Sequence, residues 1–274
     1  MIDLELIKKA LAEDLAGGVD ITSVATIPES SVSTADFVAR KSGVLAGINM
    51  AKAVLQEVGL TDITVVKEDG QVIAQGELLL TVSGNTRAIL LAERTALNFL
   101  GHLSGIASET AKWVSAISTT QCLVRDTRKT TPGYRQLEKY AVRMGGGTNH
   151  RMSLSDAALI KDNHIVAAGN ASKAFSAVRN AFPDSPIEIE VDNLDQLHEI
   201  LPLNPDLILL DNMSPALCRE AVSIINGKSK SEASGGITLE NAKAYADCGV
   251  DYIAIGALTH SASVLDIGLD LRME

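Results

Sequence analysis

Six short apolar runs, each ending in a charged or small residue, constrain this chain more than any other feature. They are CLVRD, ALIKD, IEIEV, LILLD, SEASGG and YIAIGA, all beyond residue 104 and spaced about 20 to 36 residues apart. A run, a loop, a helical segment and a return make up the repeating βαβ signature of a parallel sheet. Six such units suggest a sheet curled into an incomplete α/β barrel. The residues that end the runs are Arg125 and Asp126, Lys161 and Asp162, Glu190 and Asp192, Asp211 and Asn212, Ser234 to Gly236, and Gly256. In α/β barrels the C-terminal strand ends share one face, and the active site lies there. Side chains more than 100 positions apart are therefore expected to meet.

Residues 1–103 have a different texture. The pattern predicts a helix at 3–15, a strand at 34–40, a helix at 49–59, strands at 62–67 and 77–82, and a long helix at 86–100. The Asp69-Gly70 turn and Gly76 bound short strands in the manner of a hairpin. This half reads as an α+β unit with a small antiparallel sheet.

Charge then narrows the class of ligand. From Arg125 to Lys161 there are eight Lys and Arg against three Asp and Glu, a net +5, so the other 237 residues carry −15 of the chain's −10. Cations concentrated on an acidic background suit a small, multiply charged anion. A nucleic-acid binder would be basic over a whole face and richer in rings than the 3% aromatic content here. No apolar run approaches the roughly 20 residues that cross a bilayer, and MIDLELIKKALAEDL is an amphipathic helix with no signal-peptide core. Cys122, Cys218 and Cys248 are far apart and odd in number. They suit buried small apolar residues and a reducing cytoplasm better than a disulfide framework or a Cys-rich metal site.

Several residues carry candidate chemistry. Arg128 and Lys129 follow the first run; Arg offers a planar fork to an anion and Lys a mobile point charge. GGGTNHR adds the donors His150 and Arg151 after three glycines that permit close backbone approach or a positive φ. Neither a GxGxxG fingerprint nor a GxxxxGK[ST] loop occurs, which argues against NAD and ATP folds. Lys161 fits three readings: a Schiff-base nucleophile, an anion ligand, or a structural partner for an acid. Glu190 and Asp211 end consecutive strands, where carboxylates hold Mg²⁺, bind ribose hydroxyls, or balance the cations nearby. Ser234, Gly235, Gly236 and Gly256, with His260 close behind, suit a phosphate site of backbone N–H groups. His102 and His164 stay open, and His198 reads as a surface residue. Together these residues fit transfer of a phosphorylated sugar onto a carboxylate-bearing acceptor.

At these residues the chain resembles the quinolinate phosphoribosyltransferase (decarboxylating) family. The matching stretches are ERTALNFLGHLSGIA, DTRKTTPGYRQLEKYAVRMGGGTNHR, LIKDNH, IEIEVDN, LILLDNM, EASGGI and GVDYIAIGALTHS. EDLAGGVDITS echoes the family's N-terminal motif but carries a spare Gly17. The resemblance spans nearly the whole chain. It implies an N-terminal α/β sandwich domain, here 1–103 joined by 261–274, and a C-terminal open α/β barrel, 104–260. It also implies a cytoplasmic homodimer, or a hexamer built from one, with shared active sites in which Arg94 reaches the partner's barrel. The implied reaction joins quinolinate and phosphoribosyl pyrophosphate, with Mg²⁺, to give nicotinate mononucleotide, pyrophosphate and CO₂ in NAD biosynthesis.

By the same resemblance Arg94, Arg128, His150, Arg151 and Lys161 bind the dicarboxylate, and Lys129 stands near the pyrophosphate. Glu190 and Asp211 face the ribose and the metal, and Ser234, Gly235, Gly236, Gly256 and His260 take the 5′-phosphate. Lys129, Lys161, Glu190 and Asp211 would then stand at the reacting centre.

Other readings compete with this one. A nicotinate phosphoribosyltransferase acts on a monocarboxylate and needs fewer cations. A barrel aldolase would use Lys161 as its nucleophile. VVKEDGQVIAQGELLLTVSG resembles a lipoyl- or biotinyl-type sandwich, a carrier that presents a modifiable lysine on a hairpin tip, whereas Lys52 lies in a helical run.

Overall fold

The computed structural model describes residues 2–272, so positions 273 and 274 of the expected C-terminal segment lie outside the described residues. Two compact units emerge. Among the described residues the first comprises 2–111, 136–146 and 261–272, and the second 112–135 and 147–260.

The first unit opens with helix α1 (Leu4–Leu15), which buries Ile7 and Leu11 and is capped by the Asp3 carboxylate accepting from the Leu6 N–H. Ala16 and Gly17 are both left-handed, at φ 46° and 77°, and turn the chain toward α2 (Ile21–Thr26). The spare glycine of the N-terminal motif thus sits in that turn. Asp20 of the same motif accepts from the Thr22 and Ser23 N–H groups as the N-cap of α2. After it come β1 (Val32–Ala39), β2 (Gly43–Val44), α3 (Ile48–Glu57), β3 (Asp62–Val65), β4 (Val72–Ile73) and β5 (Leu78–Asn85). Strands β3 and β5 pair antiparallel as a hairpin would, and the segment between them pairs its own β4 with β2. Lys52 stands within α3 rather than on a hairpin tip, which removes the carrier reading.

Helix α4 (Thr86–Ala116) is twice as long as the pattern suggests, running on through Gly101 and Gly105. Those glycines serve as a groove rather than a break. A Cβ at Gly105 would lie 2.1 Å from the Ser263 carbonyl oxygen, and one at Gly101 would lie 2.9 Å from that of Leu265. On the same face the Ser104 hydroxyl donates to the Ala46 carbonyl and accepts its N–H, and Ser108 accepts the Val44 N–H. Small residues at i, i+3, i+4 and i+7 thus let two other segments lie against the helix backbone.

The second unit carries β6 (Leu123–Arg125), which is followed by α5 (Arg135–Met144), β7 (Ala158–Ile160), α6 (Asp162–Ala168), α7 (Ala171–Ala181) and β8 (Ile187–Val191). The chain continues with α8 (Leu194–Ile200), β9 (Leu207–Asp211), α9 (Pro215–Ile225), β10 (Lys230–Ser234), α10 (Ala242–Ala246), β11 (Tyr252–Ala254), α11 (Ala257–His260) and β12 (Ile267–Leu271). Two of these elements belong to the first unit. Helix α5, bar its first residue, joins it because the buried Glu138 meets His102 of α4 at 2.9 Å and Tyr140 donates to Asp69 at 2.7 Å. Strand β12 pairs with β1, giving a four-stranded antiparallel sheet in the order β12-β1-β5-β3.

The six apolar runs form one parallel sheet in the order β6-β11-β10-β9-β8-β7. It is open: among the described residues β6 and β7 do not pair with each other. Its core strands are aliphatic, with Ile187, Ile189, Ile208, Leu210, Ala233 and Ile253 fully buried. The three cysteines are free and buried, and burial pushes the Cys122 and Cys218 thiols up to about 12. No described helix is long and apolar enough to cross a membrane.

Candidate active site

The C-terminal ends of the six parallel strands surround a single cavity of about 670 Å³. Thr127 and Arg128, just past β6, line it together with Lys161, just past β7. Those are the two edge strands. Five strand spacings laid flat would hold them about 24 Å apart, so the sheet curls to bring them together. The cavity is also lined by Lys129, His150, Arg151, Glu190, Asp211, Asn212, Ser234, Gly235, Gly236, Gly256 and His260. Of the strand-end residues proposed for the barrel, Lys161, Glu190, Asp211, Asn212, Ser234, Gly235, Gly236 and Gly256 face this one space, whereas Arg125, Asp126, Asp162 and Asp192 are not among its lining residues. Arg94 does not line it: that residue occupies an exposed position on α4 in the first unit.

On the cationic side, Arg151 donates from Nη1 to the Ala157 carbonyl at 2.7 Å. Burial first, and then the charge of Arg128, push its guanidinium below the usual arginine range. Arg128 is part-buried, and its Nε has no hydrogen-bond partner. Two guanidiniums crowded in this way are under a penalty that an anion would relieve. The Lys129 N–H is held by the Thr127 hydroxyl at 3.0 Å, and its carbonyl accepts from Thr259 at 2.9 Å.

Lys161 places Nζ 2.6 Å from Glu190 Oε2. The contact suits an anion ligand better than a Schiff-base nucleophile, which must present a neutral amine. His164 has a local task, accepting the Lys161 N–H at its Nδ1 at the start of α6.

Glu190 and Asp211 end the neighbouring strands β8 and β9. Burial raises the Asp211 carboxyl, an effect opposed by Lys161 and by the Asn212 amide that donates to its Oδ2 at 2.7 Å. Two hard carboxylates on one wall of an open cavity form a donor set suited to Mg²⁺, with substrate oxygens and water completing the shell.

On the far wall, Gly235 and Gly236 take φ of +90° and +62°. A Cβ at Gly235 would lie 2.2 Å from Asn212 Oδ1, and one at Gly256 would lie 2.9 Å from Lys129 Cδ. Gly235 demands glycine on its φ alone, and at Gly256 a side chain would have to displace the Lys129 stem from the cavity. GGGTNHR divides differently from its sequence reading. Gly145 packs within the first unit, where a Cβ would meet the Ala107 carbonyl at 2.3 Å, and only His150 and Arg151 line the cavity.

Two acids beside the cavity escaped the sequence reading. Glu188 and Glu232 are buried on β8 and β10, and with His150 they place one ligand atom each within 4.8 Å of one another. Their signal was the i, i+2 spacing to Glu190 and Ser234, which puts each acid on the same face of its strand as a cavity residue. A cation is not called for here, because Arg125 already donates to Glu232 at 2.8 Å and His150 meets Glu188 at 2.8 Å.

The comparisons with known proteins agree along the chain. The model of the quinolinate phosphoribosyl transferase N-terminal domain matches residues 20–104, and that of the C-terminal domain matches residues 106–270. The chain is similar to a nicotinate-nucleotide pyrophosphorylase [carboxylating] of Mycobacterium leprae, at 50% identity over 97% of this chain and 96% of the relative. A probable enzyme of the same name in Bacillus subtilis is 40% identical over 98% and 93%. Among solved structures, the nicotinate-nucleotide pyrophosphorylase from Francisella tularensis superposes with a TM-score of 0.94 at 40% identity, covering 98% of this chain and 95% of that one.

Proposed function

We propose that this chain, which belongs to the quinolinate phosphoribosyltransferase family, converts quinolinate and phosphoribosyl pyrophosphate to nicotinate mononucleotide, pyrophosphate and CO₂ in de novo NAD synthesis. The observation that carries the reading is the pairing within one cavity of a crowded cation wall with a carboxylate pair and a glycine cradle. A dicarboxylate beside a pyrophosphate needs that many cations, and a 5′-phosphate needs the cradle.

The residues divide the work by charge. Arg128, Arg151 and Lys161 would bind the two carboxylates of quinolinate and turn its ring nitrogen toward C1 of the ribose. Ser234, Gly235, Gly236 and Gly256, with His260, would hold the 5′-phosphate, so that C1 sits in front of Glu190 and Asp211. The ring nitrogen's lone pair forms the C1–N bond as the C1–O bond breaks, and the electron pair leaves with pyrophosphate. Positive charge grows on the ribose during that step, and the two carboxylates stabilise it electrostatically. Lys129 would neutralise the departing pyrophosphate. Mg²⁺ held by Glu190 and Asp211, directly or through ribose and water, would supply further charge neutralisation there.

The ribosylated ring then carries a positive nitrogen. That nitrogen stabilises the carbanion left when the neighbouring carboxylate departs as CO₂, and the carbon takes up a proton. Positioning suffices for this step, with no catalytic triad.

The reading includes a cytoplasmic homodimer, or a hexamer built from it, in which Arg94 of one subunit completes the dicarboxylate site of the other. Incubation with phosphoribosyl pyrophosphate, Mg²⁺ and either quinolinate or nicotinate tests it. Release of CO₂ with nicotinate mononucleotide from quinolinate is expected, and conversion of nicotinate alone, or of neither, would overturn it.

A further inference from the structure

Three buried titratable side chains and a half-buried arginine stand beneath the cation wall, none of them given a step in the reaction above. Arg125 comes from β6, Glu188 from β8, Glu232 from β10 and His150 from the loop after α5. Arg125 stacks 4.1 Å over the Tyr252 ring and donates to Glu232 Oε2 at 2.8 Å. His150 Nε2 lies 2.8 Å from Glu188 Oε2 and 3.6 Å from Glu232 Oε1. The second oxygen of each glutamate, Oε1, has no hydrogen-bond partner. On its other side, His150 Nδ1 accepts the Arg151 N–H at 2.8 Å. The His150 backbone is itself fixed, its N–H donating to Asp126 at 2.8 Å.

The Nδ1 contact of the imidazole dictates one protonation pattern. Nδ1 accepts a hydrogen bond, so it carries no proton, and the proton must be on Nε2, facing Glu188. The other neutral tautomer would aim an N–H at the Arg151 N–H, donor against donor. An imidazolium would do the same. Arg125 holds Glu232 in place beside the ring through its 2.8 Å hydrogen bond. Burial, and then the charge of Glu188, push the Glu232 carboxyl up to about 7.

We propose that Glu188, braced by Glu232 and Arg125, is a positioning residue of the dicarboxylate site. It fixes His150 as the Nε2–H tautomer, and that tautomer's Nδ1 holds the Arg151 backbone and so aims the Arg151 guanidinium. In this role His150 acts on the substrate through Arg151 rather than by donating from its ring. The inference rests on the proposed function for the identity of the anion, and on the geometry alone for the tautomer.

Histidine ¹⁵N NMR of the substrate-free protein reads the tautomer without the reaction, with His150→Gln assigning the resonance. The expected spectrum has Nδ1 unprotonated and Nε2 protonated. Glu188→Leu should disturb that pattern and raise the KM for quinolinate about tenfold, with kcat and the KM for phosphoribosyl pyrophosphate changed less than threefold. Glu188→Gln keeps a carbonyl acceptor for the Nε2–H and should recover most of the loss. A protonated Nδ1 in the wild-type protein overturns the proposal, and that measurement stands even where Glu188→Leu does not fold. A folded Glu188→Leu with an unchanged quinolinate KM overturns it as well. An intact Nε2–H tautomer in a protein that does not turn over quinolinate would instead count against the proposed function.

Discussion

The two sheets of this molecule treat their polar side chains in opposite ways. In the antiparallel sheet, polar groups pair across strands: Thr34 with Ser83 at 2.9 Å, Thr81 with Asp36 at 2.7 Å, and Asp36 with both Nε and Nη2 of Arg272 at 2.9 Å. Among the described residues, the buried side-chain atoms with no hydrogen-bond partner all belong to the parallel-sheet unit. They include Arg125 Nε, Arg128 Nε, Glu188 Oε1 and Glu232 Oε1. A buried polar atom left unmade costs about 1–3 kcal/mol. The first sheet avoids that cost and serves stability, whereas the second accepts it around the cavity, where an anion would supply a partner for Arg128. The contrast can be broken by variants that move activity and stability independently.

The largest effect is expected at Lys161. It lines the cavity and also balances Glu190, so Lys161→Ala removes one charge and strands another. A loss of about a hundredfold or more in kcat/KM is expected, corresponding to ~3 kcal/mol. The same variant tests the shared site. Mixing Lys161→Ala with Arg94→Ala subunits should restore about a quarter of wild-type activity, because random pairing makes half the dimers mixed and each mixed dimer holds one intact site. Absence of recovery once subunit exchange is verified would remove Arg94 from the partner's cavity.

Arg128→Ala should cost more than tenfold in kcat/KM for quinolinate, about 2 kcal/mol of charged hydrogen bonding. Its thermal midpoint should hold or rise, because the crowding with Arg151 is relieved. Near-normal turnover would take Arg128 out of the anion clamp. A fall in midpoint with activity intact would invert the comparison.

The antiparallel sheet predicts the reverse behaviour. Asp36→Ala removes the acceptor for Arg272 and Thr81 and should lower the midpoint by about 2–4 °C, with quinolinate kinetics unchanged. Arg272, then Thr81, hold the Asp36 carboxyl below its ordinary value. A depressed folded pKa contributes stability above the unfolded value, near 3.9, and loses it as the pH falls through the folded one. The gap between wild type and variant should therefore be full at pH 7 and close in acid. A gap that persists at pH 2 would assign the effect to packing instead of charge.

What the sequence made legible follows from the same physics. Lys161, Glu190, Asp211, Ser234 and Gly256 could be read because a polar residue at the end of an apolar run has little to do except face the site. Glu188 and Glu232 could not, because an acid inside such a run looks like an interruption until the curl of the sheet is known. Helix α4 runs past the expected 86–100 because Gly101 and Gly105 form a groove for the distant segment at Ser263–Leu265, which the local pattern does not report. Helix α5 was grouped with the barrel by its place in the chain. Its partners His102 and Asp69 are 36 and 71 residues away, a separation that no local pattern reports.

The smallest effect, and the sharpest test of the contrast, concerns Glu232. Its carboxyl is raised to about 7, first by burial and then by Glu188. A raised acid favours the protonated folded state, so the associated stability is fully present below the unfolded value, about 4.3, and is lost as the pH climbs through 7. Glu232→Gln fixes the uncharged form and keeps an acceptor for Arg125. Thermal midpoints of the two proteins should converge as the pH falls toward 4 and separate as it climbs to 8, with the variant the more stable. A wild type that instead gains on the variant between pH 5 and 8 would mean that the buried acid stabilises the parallel sheet as an ion pair. The two sheets would then differ in topology but not in how they use charge.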